Sequence, residues 1–208
     1  MKALKIFVSS LLAGVSIGLG GLVFLSVENR VLGAALFSIG LFVICSFSLH
    51  LFTGKVCYAC DKGRDFALAL PLTWLGNLCG TGLTAGAAWL SRIAALSERA
   101  AALCAVKTGD SLVSLFFLGV LCNICIYIAV EGYRSIPSAA GKYLSILLGV
   151  MVFILAGTEH CVADMFYFWM AGAWSGRALL CVLVITLGNT AGGLAFSLLH
   201  RCVGRERT

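Results

Sequence analysis

Charge is what this 208-residue chain has least of: Asp, Glu, Lys and Arg make up 12% of it, against 61% hydrophobic residues. So little charge cannot cover a globular surface, and a mean hydropathy of +1.02 excludes the ordinary soluble classes. Proline is nearly absent, with two residues in the whole chain. The long Leu, Val, Phe, Gly and Ala runs are therefore not cut into the short alternating segments of about ten residues that a membrane barrel requires. The fold class expected is an all-α integral membrane protein in a lipid bilayer. Histidine is scarce too, at three residues. Neither Cys57-Tyr58-Ala59-Cys60 nor Cys122-Asn123-Ile124-Cys125 meets a second cysteine pair or a His cluster at finger spacing, so no metal and no cofactor are expected. Most of the ten cysteines, Cys45, Cys79, Cys122, Cys125, Cys161 and Cys181 among them, lie in apolar runs, where cysteine behaves as a small hydrophobe. The net charge of +6 implies no nucleic acid. Its Lys and Arg residues sit in short loops and at the ends of apolar runs, where such residues orient a chain in a bilayer.

Six apolar spans can be drawn, over residues 6–27, 31–59, 66–90, 111–130, 143–174 and 178–199. The first has the charge pattern of a leader, with Lys2 and Lys5 ahead of it, but is long and lacks a small-residue exit, so it is read as a span. A helix rises about 1.5 Å per residue and a bilayer core is about 30 Å thick, so roughly 20 residues cross it. The second and fifth runs, 29 and 32 residues long, are too long for one straight crossing. Breaks are expected at residues 50–55 and at Ala156-Gly157-Thr158-Glu159-His160, because glycine weakens a helix and polar side chains can satisfy the freed backbone. Residues 91–109 read as an amphipathic, Ala-rich segment outside the hydrocarbon.

The fifth run also holds the residues that point to function. Glu159, His160 and Asp164 stand in the middle of apolar sequence, where ionisable groups are costly and usually face a protein interior or a water-filled path. Spans three and six share Leu-Gly-Asn-x-x-Gly, with Asn77 and Asn189 112 positions apart; Thr53 and His160, in the two broken spans, are 107 apart. The chain therefore reads as duplicated, with halves of about 1–109 and 110–200 inside one transmembrane domain, 1–208, that closes on a short tail, 201–208. Three spans per half is an odd number, so the second half must lie upside down: a 3+3 inverted repeat, whose broken spans point to a transport site at the midplane. With the N-terminus inside, ten Lys and Arg residues fall on the inner side and five on the outer, which predicts cytoplasmic N- and C-termini in the inner (cell) membrane.

Phe37 to Leu41 with Leu51-Phe52-Thr53, and Gly157-Thr158-Glu159-His160 with Asn123 and Asn189, resemble the second helix, the pore loop and the Gly-Phe-Glu-His motif of the formate/nitrite transporter family. The resemblance covers nearly the whole chain. It implies an aquaporin-like fold, a homopentamer with one pore per protomer, and a small anion as substrate: formate, nitrite, lactate or hydrosulfide. It also implies roles. His160, Thr53, Asn123, Asn189 and Glu159 would form the pore centre, with Thr53 and His160 as the central pair. Phe37, Leu41, Leu51, Phe52 and Phe153 would form the apolar constrictions, and Lys107 would sit in the outer vestibule. The chain departs from the family pattern at Thr158, where an aromatic is frequent, at Asp164, where asparagine is common, and at His50, where an acidic residue stands. Its shortness suits the hydrosulfide-like branch as well as a formate channel.

The mechanism expected is a path for small monovalent weak-acid anions, made pH-sensitive by His160. Burial keeps an imidazole neutral and an arriving anion favours its protonation, so His160 is expected to act as a conditional charge. Lys107 outside, and Lys55 and Lys142 inside, are expected to concentrate anions at the two mouths. No enzymatic role is expected. The competing possibility is a membrane-embedded metal enzyme built on Glu159, His160, Cys161 and Asp164, for which no second His cluster completes a ligand set.

Overall fold

The computed structural model describes residues 2–204, and every regular element among them is a helix. In order these are α1 (Lys2–Ser26), α2 (Arg30–Phe37), α3 (Ile39–Ser46), α4 (Phe52–Val56), α5 (Arg64–Leu68), α6 (Leu70–Trp89), α7 (Leu96–Gly109), α8 (Leu112–Ser135), α9 (Ala139–Leu155), α10 (Cys161–Ala171) and α11 (Gly176–Gly204). Arg205 and Arg207, counted above for orientation, lie outside the described residues. Four stretches are long and apolar enough to cross a bilayer: Lys2–Ser26, Arg64–Trp89, Leu112–Ser135 and Gly176–Gly204. Their large apolar side chains, Leu19, Leu83, Leu121 and Leu187 among them, are exposed on the outside of the bundle, as expected where lipid rather than water is the solvent. This is a multi-pass membrane protein.

Local chemistry sets several of the helix starts. Asn29 Oδ1 accepts from the amides of Val31 and Leu32, each at 3.0 Å, and opens α2. Ser111 Oγ accepts from Ser114 N and Ser138 Oγ from Gly141 N, opening α8 and α9. Each such cap satisfies amide donors that have no partner in the first turn.

Close packing follows from small residues. A Cβ on Gly80 would lie 2.1 Å from Leu11 O, and one on Gly192 would lie 2.1 Å from Val120 O. The α1–α6 and α8–α11 pairs therefore meet backbone to backbone, which only glycine permits at those points.

One sequence expectation moves. The stretch expected to break at residues 50–55 is non-helical at 47–51 instead, and Phe52, Thr53 and Lys55 belong to α4. The restart is displaced because the Phe52 amide, 2.8 Å from Asn77 Oδ1, finds an acceptor outside its own segment. α7, within the Ala-rich segment that follows the third span, packs on α10 with Ala100, Cys104 and Lys107 buried.

Candidate functional site

In the second half of the chain α9 stops at Leu155 and α10 starts at Cys161. Gly157 lies between them at φ +72°, a backbone conformation that glycine adopts without strain. The peptide groups freed at this step are taken up by Asn189, whose Oδ1 accepts from Cys161 N at 3.0 Å. Its Nδ2 donates to Glu159 O at 2.9 Å and to Gly119 O at 2.8 Å. Asn77 does the same work at residues 50–52: Oδ1 accepts from Phe52 N, while Nδ2 donates to His50 O at 2.9 Å and Ser10 O at 2.8 Å. Both asparagines are fully buried. Asn77 was visible in the repeated Leu-Gly-Asn motif, yet the site residues expected from sequence paired Asn189 with Asn123.

These restarts bring α4 and α10 together at their first turns. Thr53 Oγ1 and His160 Nε2 lie 2.9 Å apart, both buried. His160 also caps its own helix, with Nδ1 accepting from Ala163 N at 3.1 Å. An amide can only donate, so Nδ1 carries no hydrogen and the neutral ring presents Nε2–H to the threonine oxygen. A second proton on the ring would displace the Ala163 amide. In this conformation the ring is therefore a neutral donor. Phe153 stacks on it with ring centroids 5.6 Å apart and planes at 21°, and Phe37 meets Phe153 edge-on at 6.1 Å.

The Thr53–His160 contact lies between two cavities. One, of about 540 Å³, is lined by Phe37, Phe153, His160, Glu159, Asp164 and Lys107, with Arg30 also on its wall. The other, of about 270 Å³, is lined by Leu41, Leu51, Gly54 and Lys55, with Lys62 and Arg134 further out. Phe52 lines neither; its backbone is tied to Asn77. Asn123 lines neither as well, but its Nδ2 donates to Thr53 O at 3.1 Å and so steadies the threonine from behind. Lys142 is also absent from the second cavity wall and lies over the Tyr133 ring, 5.9 Å from its centroid.

Lys107 lines the larger cavity, but not as a free cation. It is buried, its ammonium bonds Glu159, and it lies 2.8 Å from Asp164 Oδ1. The physical reason is the packing of α7 on α10, which places the lysine where two carboxylates lack another partner. Arg30, which sequence reasoning counted only for orientation, is the more accessible cation of this cavity. Its guanidinium donates to Ile154 O at 3.2 Å and Leu155 O at 3.4 Å, the exposed carbonyls at the end of α9, and makes no ion pair among the described residues. Asp164 stood out in the sequence as an ionisable residue in an apolar run and as a departure from the family pattern, but nothing in the primary structure showed it facing Lys107, 57 positions away. Among the described residues no group of three or more His, Cys, Asp or Glu side chains could hold a metal ion.

Buried polar contacts between two cavities, inside a bundle of apolar helices, define a membrane channel or transporter. The sequence model of the formate/nitrite transporter family matches residues 1–202, and the chain belongs to that family. It is 31% identical to the nitrite transporter NirC of Escherichia coli over 221 residues, covering 93% of this chain and 81% of that one. It is 28% identical to the formate channel FocA of Haemophilus influenzae over 149 residues, covering 66% and 52%. Among solved structures, an FNT family ion channel superposes with a TM-score of 0.82 at 28% identity over 97% of this chain and 90% of that one. A pentameric formate channel with formate bound superposes with a TM-score of 0.81 at 23% identity over 97% of each, which is a likeness of fold.

Proposed function

We propose that the protein is a channel for small monovalent anions of weak acids, of the formate/nitrite type. On this reading it works as a homopentamer in the inner membrane with both termini in the cytoplasm. α2, α3 and α4 make up the second span of a 3+3 inverted repeat and α9 and α10 the fifth; residues 1–109 and 110–200 are its halves in one domain. The matched bonds of Asn77 and Asn189, and the matched approaches of Gly80 to Leu11 and Gly192 to Val120, support the repeat.

The observation that carries the reading is the Thr53–His160 contact between the two cavities. A bare anion crossing between Phe37, Leu41, Leu51 and Phe153 loses its hydration in a low-dielectric collar, which costs many kcal/mol. His160 Nε2–H and Thr53 Oγ–H are hydrogen-bond donors that can turn from each other to the substrate at that point. They offset part of that loss without adding charge. Asn123 and Asn189 position them, and the apolar collar favours crossing as the neutral acid. The basic wall of Lys55, Lys62 and Arg134 faces the cytoplasm, in keeping with the excess of Lys and Arg expected there.

The test is flux of formate, nitrite and hydrosulfide into proteoliposomes, normalised to folded protein, for the wild type and for Thr53→Val with His160→Asn. The expected result is flux of at least one of the three anions well above protein-free liposomes, at least tenfold lower in the double variant. Flux indistinguishable from protein-free liposomes would overturn the reading.

A further inference from the structure

The wall of the outer cavity carries one buried cation against two buried carboxylates. Lys107 bonds Glu159 and Asp164, and Asp164 Oδ2, in a residue 1% exposed, has no hydrogen-bond partner among the described residues. With both acids ionised, the buried groups of this cluster carry two negative charges against one positive and leave one carboxylate oxygen orphaned; Arg30, the other cation of the wall, is exposed and screened by water. Two carboxylates on one site relieve that excess of buried negative charge by keeping a proton between them.

We propose that Glu159 and Asp164 hold one proton at neutral pH and that this acid, on the wall of the outer cavity beside His160, is the donor that neutralises an entering weak-acid anion. The inference rests on the anion-channel reading above. In the step, the carboxyl O–H bond breaks and its proton goes to the anion, forming the new O–H bond of formic or nitrous acid, or the S–H bond of hydrogen sulfide. The pair is left as two carboxylates against Lys107, and a hydronium ion from the solvent outside, reaching the cavity through its water, gives a proton back to it and leaves a water molecule. His160 is badly placed to act first, because its Nδ1 is held by the Ala163 amide and its Nε2–H faces Thr53.

The charges of the cavity fit this cycle. Arg30 and Lys107 supply +2 and the two acids −2, so the wall is neutral when the pair is empty and +1 when it holds a proton. An anion is drawn in when the donor is loaded. The other titratable groups facing the pair are Cys104 on α7, Cys161 and Tyr167 on α10, Cys122 on α8, Cys181 on α11, and His160 at the start of α10. All are neutral when protonated or, for His160, neutral in the tautomer described, so none cancels the excess carboxylate.

The experiment is infrared difference spectroscopy of the whole purified protein between neutral and alkaline pH, in water and heavy water, for the wild type, Asp164→Asn, Glu159→Gln and His160→Asn. The expected result is one carbonyl band of a protonated carboxylic acid in the wild type. It should shift in heavy water, be retained in His160→Asn, and be lost in Asp164→Asn and Glu159→Gln. If one acid variant does not fold, the other assigns the band. No acid band at neutral pH in the wild type overturns the proposal, as does a band that survives in both acid variants. The two readings fail separately: formate flux without the band sinks the shared proton, and the band without flux of any of the three anions sinks the channel.

Discussion

Asn77 and Asn189 make the same three hydrogen bonds in the two halves of the chain: each accepts the amide that opens a helix, donates to the carbonyl two positions upstream of it, and donates to a carbonyl of the neighbouring helix. They hold the backbone that carries Thr53 and His160. Removing either amide orphans buried backbone groups, each costing about 1–3 kcal/mol. Asn77→Ala and Asn189→Ala should therefore lower thermal stability in detergent by similar amounts, with loss of flux in the protein that survives. A stability loss at one position and none at the other would refute their equivalence.

Gly80 and Gly192 sit where a methyl group would lie 2.1 Å from a backbone oxygen, while nothing lies within 4 Å of a Cβ at Gly86. Gly80→Ala and Gly192→Ala should each cut the yield of monodisperse protein severely, because the helix pairs must part to admit the methyl. Gly86→Ala should leave it unchanged. Size-exclusion profiles of the three variants decide this.

Lys107 and Arg30 line one cavity and should answer differently to salt. Lys107→Ala strands two buried carboxylates, a change costing about 3–5 kcal/mol, and its effect on flux and stability should be the same at low and high ionic strength. Arg30 is exposed and acts through space, so Arg30→Gln should slow influx at low salt and match the wild type near 1 M, where the screening length falls to about 3 Å. Flux in proteoliposomes across a salt series reads both.

The pH dependence should follow the acid pair more than the imidazole. As pH rises the pair gives up its proton, the donor is lost and the wall falls from +1 to neutral, so influx should decline toward alkaline pH. In Asp164→Asn the remaining Glu159 is matched by Lys107 and has no excess charge to relieve, so the profile from pH 5 to 8 should flatten. His160→Asn should lower the rate and keep the slope. A flat profile in His160→Asn, with the wild-type slope kept in Asp164→Asn, would return the pH sensitivity to the histidine.

Composition made this a membrane protein and its long uninterrupted apolar runs made it all-helical, because only helices and closed barrels satisfy a backbone in lipid and barrel strands are short and alternating. The motif Leu-Gly-Asn-x-x-Gly pointed to paired asparagines, and the isolated Glu159-His160 step pointed to the site, since ionisable groups stand out against apolar neighbours. What the sequence could not carry is which groups meet. Lys107, Glu159 and Asp164 converge only because α7 packs on α10. Arg30 reaches the end of α9 across more than 120 positions, and the hydrogen on His160 is assigned by an amide three residues along its own helix. Charge pairing and tautomer depend on distances of a few ångströms between segments far apart in the chain. Patterning sets which face of each helix is apolar, whereas the tertiary packing decides which buried charge has a partner and which does not.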